Sequence, residues 1–160
     1  MHYKPIIIVP GEPNSIFFEI FFKSIKKNIY KSPLILISSL NILKKEMKIA
    51  NFKRSIRIIN HENLNNIKIN NKEINLININ NNLNFNFKKY PKHSKIYISK
   101  CFELAFKILR TKFTNKLING PINKSKFLDK KFLGITEYIS KKFKIKKNAM
   151  LIYNKKLSVC

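Results

Sequence analysis

Cysteine is scarce in the 160-residue sequence: Cys101 and Cys160 are the only two. So few, so far apart, exclude a disulfide framework and a metal-spaced pair, and Cys101 reads as a small core residue. Long apolar runs are also missing. No segment approaches the roughly 18 apolar residues that cross a bilayer, and "MHYKP" passes straight into "IIIVP" and the turn residues "PGEPNS", unlike a signal peptide. A cytoplasmic protein with no membrane partner is expected. Acidic residues number 8 against 33 lysines and arginines, for a net charge of +25. Such a surplus invites a polyanion, yet arginine, whose fork suits phosphate and base recognition, occurs only at Arg54, Arg57 and Arg110. Lysine is scattered along the whole chain beside an excess of isoleucine and asparagine, residues that share A/T-rich codons. A drifted coding sequence explains the charge as well as selection for a polyanion does, and nucleic acid is not an expected partner.

What is present suits one ordinary domain. Hydrophobic residues make up 44% and charged residues 26%, a globular composition. A chain of this length buries about two thirds of the surface it exposes when unfolded.

Along the first half, buried-looking runs alternate with helical patterns. "KPIIIVP" (4–10), "SPLILISS" (32–39) and "RSIRIIN" (54–60) read as strands, since β-branched runs without polar interruption suit a sheet covered on both faces. Between them, 15–29 and 39–50 read as helices. Ser15 is the expected cap of the first, with Ile16, Phe17, Ile20, Phe21 and Ile25 as its apolar face. The order β-α-β-α-β implies a mostly parallel sheet with right-handed crossovers. Residues 66–87 alternate apolar and polar around an Asn-Asn turn, the pattern of a hairpin or of edge strands wet on one face; the asparagine tract equally fits a low-complexity loop. A long helix over 94–113 follows, capped by Ser94, with Ile98, Cys101, Phe102, Ala105, Ile108 and Leu109 at helical spacing. Then come a short strand in "NKLING", a loop and helix through 125–143, and two strands in "NAMLIYNKKLSVC" joined at Asn154-Lys155.

Glycine is nearly absent, and each of Gly11, Gly120 and Gly134 follows an apolar run. Gly11 and Gly120 fall at strand-to-helix exits, where the loops of an open α/β sheet form the ligand crevice. Two readings stand together: turns kept for close approach of a ligand, or tight turns that need glycine with or without one.

Three motifs around these glycines resemble the 4-hydroxythreonine-4-phosphate dehydrogenases of pyridoxal phosphate (vitamin B6) biosynthesis. "VPGEPNSIFFEIFFKSI" is similar to the family's N-terminal loop, "INGPINKSKF" to its Gly-Pro-Ile-x-Lys turn, and "FLGITEYIS" to its Gly-His-Thr-Glu-Phe/Tyr motif. The three lie in register over nearly the whole chain. The resemblance implies an isocitrate/isopropylmalate dehydrogenase-like three-layer α/β/α fold with a mostly parallel sheet. Residues 1–160 would be a single incomplete α/β unit, the N-terminal portion of a two-domain subunit, with the active site at a homodimer interface. It implies NAD-dependent oxidation of 4-phosphooxy-L-threonine, loss of carbon dioxide from the keto product, and a divalent metal that polarises the substrate oxygen.

Site residues follow by position. Thr136 is the best substrate-binding candidate; Asn123 and Lys124, after the Gly120 turn, are placed to meet a phosphate, against a solvated-surface reading. Glu12 is a polar loop residue facing the cleft, or an acid favoured by the dipole of the helix ahead, and Glu137 reads equally as a first-turn helix residue. No catalytic acid, base or nucleophile is assigned. Departures are visible: the family's histidine before Thr136 is Ile135, which cannot donate, and losing a hydrogen bond to a charged group costs about 1.5–3 kcal/mol. Phenylalanines fill the loop after Gly11 where the family has small residues. The family's metal histidines and most nicotinamide contacts are expected outside 1–160; His2, His61 and His93 do not match them and are read as surface residues, so no metal or NAD ligand is assigned here. Two alternatives remain: a dehydrogenase of another phosphorylated hydroxy acid, and a truncated, non-catalytic paralogue.

Overall fold

The structure is a computed structural model; it describes residues 3–27, 29–79, 91–128, 131–153 and 158–159. The chain divides into two compact units, 1–122 and 123–160.

In the first unit, β1 (Ile6–Val9), β2 (Leu34–Ser38), β3 (Ile56–Ile58), β4 (Ile74–Asn78) and β5 (Leu117–Asn119) form a sheet of order β3-β4-β2-β1-β5, parallel throughout. Ile7, Val9, Ile35, Ile37 and Leu76 are wholly enclosed, so the uninterrupted apolar runs mark strands covered on both faces. Helices α1 (Phe17–Lys26) and α2 (Leu40–Ile49) follow β1 and β2, and α3 (Pro91–Arg110) joins β4 to β5. The first connections run along the sheet toward β3 and the α3 connection runs back across β2 and β1. Right-handed crossovers therefore put α1 and α2 on one face and α3 on the other, the three-layer arrangement expected.

Several local expectations are corrected. The Ser15 hydroxyl accepts from Phe17 N at 3.3 Å and donates to Glu12 O at 2.7 Å, but Ile16 is the residue flanking the helix, so Ser15 acts from one position further out. The buried face of α1 is Phe17, Phe18, Phe21, Phe22 and Ile25, while Ile16 and Ile20 are exposed. Apolar residues surround most of this helix, so spacing alone does not select a face; the phenylalanines, which bury the greater area, turn inward. Phe22 stacks on Phe52 with ring centroids 4.7 Å apart.

The expected hairpin over 66–87 is replaced, in its described part, by β4, an interior strand parallel to both neighbours; 80–87 lie outside the described residues. The alternation misleads because a polar member, Asn75, is buried and hydrogen-bonded rather than wet, its Nδ2 donating to Leu34 O at 3.0 Å and Asn70 O at 2.7 Å. Helix α3 begins at Pro91, so Ser94 lies inside it instead of capping it; a proline in the first turn forgoes only an N–H that has no helical partner there. Tyr97, Ile98, Cys101, Phe102, Ala105 and Phe106 of α3 are buried, and the Tyr97 hydroxyl meets Ser38 Oγ at 2.8 Å.

In the second unit, where a loop and helix were expected through 125–143, there are two helices, the short α4 (Lys124–Phe127) and α5 (Ile135–Phe143). Gly134, extended rather than helical, begins the second. The Tyr138 ring meets both Phe127 and Phe132 at 5.4 Å, an aromatic contact that ties the two segments together. The two final strands form as expected, β6 (Ile152–Tyr153) and β7 (Ser158–Val159) pairing antiparallel; the joint at 154–155 lies outside the described residues.

Candidate functional site

The loops that leave β1 and β5 meet at the carboxyl end of the sheet. Gly120 N donates to Val9 O and Glu12 N to Pro121 O, each at 2.8 Å. A Cβ on Gly120 would sit 1.9 Å from Pro10 O, and one on Gly11 2.2 Å from Pro121 O. No side chain fits at either point, and Gly11 also holds φ at +77°, a region open to glycine. Each glycine is thus required by the main chain of the opposite loop, Gly11 by Gly120 and Pro121 and Gly120 by Pro10: backbone crosses backbone. Of the two readings the sequence left open, the close approach observed here is chain on chain.

This crossing locks the main chain of Glu12, which is half-buried. Its N–H is spent on Pro121 and its carbonyl accepts the Ser15 hydroxyl. The residue lies in the first unit, just ahead of α1.

The other candidates lie in the second unit. Asn123 caps α4, its Oδ1 accepting from Lys126 N at 3.1 Å and from the Ser125 hydroxyl at 2.8 Å. The sequence reading missed this capping role, although Asn followed by a short polar run carries the signal for it. Lys124 is the first residue of that four-residue helix, and its side chain is exposed, as is that of Asn123. Thr136 sits half-buried in the first turn of α5, followed by the exposed Glu137. That end of a helix carries the positive pole of its dipole and favours negative charge; Glu137 already supplies some. Ile135, where a histidine was expected from the resemblance, opens the same turn. Asn123 and Lys124 are therefore adjacent, and Thr136 stands on the following helix of the same unit.

The described residues include no group of three or more histidine, cysteine, aspartate or glutamate side chains able to hold a metal ion. His61 instead faces Lys107, Nε2 to Nζ at 3.2 Å. Nor does the buried pair Tyr97 and Cys101 of α3 offer a nucleophile: burial pushes the Tyr97 hydroxyl and the Cys101 thiol well above their ordinary values. Both stay protonated at neutral pH, and a protonated thiol is a poor nucleophile. Among the described residues no helix is long and apolar enough to cross a membrane.

Comparison with known proteins agrees with this geometry. The family model described as pyridoxal phosphate biosynthetic protein PdxA matches residues 30–160. No curated protein matches the chain. Among solved structures, a 4-hydroxythreonine-4-phosphate dehydrogenase from Burkholderia phymatum is similar over 98% of this chain and 48% of its own, at 19% identity and a TM-score of 0.76. A putative enzyme of the same name from Salmonella typhimurium gives 97%, 50%, 20% and 0.78, and one from Klebsiella pneumoniae 98%, 48%, 19% and 0.76. At that identity the likeness establishes the fold. The chain spans about half the length of these solved relatives.

Proposed function

The chain belongs to the pyridoxal phosphate biosynthetic protein PdxA family, and on that basis we propose that it takes part in the NAD-dependent oxidation of 4-phosphooxy-L-threonine. Decarboxylation of the keto product follows in this reading, in a cytoplasmic homodimer. The observation that carries it is the family match running through both the Gly120 turn and the first turn of α5, where Asn123, Lys124 and Thr136 stand. In this proposal Lys124 supplies positive charge to the substrate phosphate, Asn123 holds the turn that presents Lys124, and the Thr136 hydroxyl donates a hydrogen bond to an anionic oxygen of the substrate. Glu12, on the β1 loop of the first unit, is a further substrate-binding residue of the proposal.

The described residues do not fit a metal centre, and no nicotinamide contact is assigned among them. No step of the reaction is therefore routed through either group here; NAD and a divalent metal belong to the proposal as requirements of the whole reaction.

Binding tests the role of this chain separately from turnover. Titration calorimetry of the 160-residue protein with 4-phosphooxy-L-threonine should give saturable binding, weakened roughly ten- to hundredfold in Thr136→Val, the effect of about 1.5–3 kcal/mol for one lost hydrogen bond to a charged group. Equal binding by Thr136→Val and by Lys124→Ala would sink the assignment of both residues. A second reading rests on Ile135: with a side chain that cannot donate beside Thr136, the site suits another phosphorylated hydroxy acid. Tighter binding of such a compound than of 4-phosphooxy-L-threonine would favour it, and binding of neither would favour a non-catalytic paralogue.

A further inference from the structure

At the amino end of the sheet, away from the Gly11–Gly120 crossing, asparagines tie β2 to the segment entering β4. Asn71 Oδ1 accepts from Leu34 N at 2.9 Å, and its Nδ2 donates to Tyr30 O and Ser32 O, each at 3.0 Å. Asn75, one residue into β4 and only 2% exposed, spends both Nδ2 hydrogens on Leu34 O and Asn70 O. Its Oδ1 is buried and meets no donor. Reversing the amide does not help, because that would set Oδ1 against two carbonyl oxygens. An unmet buried amide oxygen costs about 1–3 kcal/mol, so a folded chain rarely leaves one.

Asn75 also lines a cavity of about 10 Å³ walled by Phe21, Ile25, Leu34 and Ile74, with Arg54, Asn71, Glu73 and Tyr30 as its polar members. That is the space of about one water molecule, in a site polar enough to hold it. We infer that this cavity binds a single structural water, which donates a hydrogen bond to Asn75 Oδ1 and is held by polar groups of the same wall. The cavity has room for one water, and it serves the sheet, since it lies at the strand ends opposite the Gly11–Gly120 crossing.

Two measurements on the whole 160-residue chain test this independently of any enzymatic activity. A crystal structure that orders solvent should show one peak about 2.7–3.2 Å from Asn75 Oδ1. Water-selective NMR should show a cross-peak from the Asn75 side-chain amide to a water resident for longer than the molecule tumbles. An empty cavity, a reversed amide, or the Arg54 guanidinium bonded directly to Oδ1 in the crystal would overturn the inference; so would the absence of a long-lived water cross-peak in solution.

Discussion

Replacing Gly120 with alanine puts a single methyl group into the crossing of the β1 and β5 loops, and the outcome follows from the distances. The new Cβ would start 1.9 Å from Pro10 O, 2.6 Å from Phe17 Cδ2 and 2.7 Å from Pro10 C. Phe17 can rotate; the Pro10 carbonyl cannot, because it is main chain between Val9 and Gly11. To reach ordinary contact the two loops must part by about 1.5 Å. That breaks the bonds from Gly120 N to Val9 O and from Glu12 N to Pro121 O. Two net hydrogen bonds cost about 2 kcal/mol and the overpacking about 1–3 kcal/mol, so the loss is about 3–5 kcal/mol, a large part of the 5–15 kcal/mol typical of a whole domain. With a urea slope near 2 kcal/mol/M the unfolding midpoint, followed by circular dichroism, should fall by about 1.5–2.5 M. Gly134→Ala is the control: its Cβ meets only the end of the Glu137 side chain, which can swing away, and its loss should stay below about 1 kcal/mol. A Gly120→Ala midpoint within about 0.3 M of the parent would refute the steric argument.

Three further outcomes are expected. Cys101, fully buried with its thiol held protonated, should resist iodoacetamide in the native protein at pH 8 and react in denaturant, as peptide mass spectrometry resolves; native labelling would contradict its packing. Folding stability should fall as pH rises past 9.0, the ordinary thiol value, and further past 10.0, the ordinary tyrosine value. There the unfolded chain releases the Cys101 and Tyr97 protons that the folded chain keeps, so the folded state binds more protons and loses ground with pH; a flat alkaline limb in urea midpoints would argue against it. Asn71→Ala removes three hydrogen bonds at the amino end of the sheet and should cost about 2–3 kcal/mol with an unchanged urea slope, whereas a change under about 0.5 kcal/mol would show that the latch carries no load.

The parallel sheet was legible in the sequence because its strands are covered on both faces: "IIIV" and "LILIS" have no polar residue to expose until Ser38, which meets Tyr97 in the core. The three motif loops were legible too, since Gly11, Gly120 and Gly134 are the only glycines available to mark them. What pattern could not decide is which partner a residue meets. Ile16 and Phe18 are equally apolar, and only packing sent Phe18 inward. The alternation that looked like a wet hairpin face belongs to an interior strand, because Asn75 finds carbonyls in the second strand and in the turn before its own. Spacing along the chain could place Gly11 and Gly120 at strand exits. That each is glycine because of the opposite loop's main chain became visible only when β1 and β5, more than a hundred residues apart in sequence, lay side by side. Local covalent order and hydrophobic period determine which elements form; contacts between distant segments, with their sterics and their hydrogen bonds, decide how those elements meet.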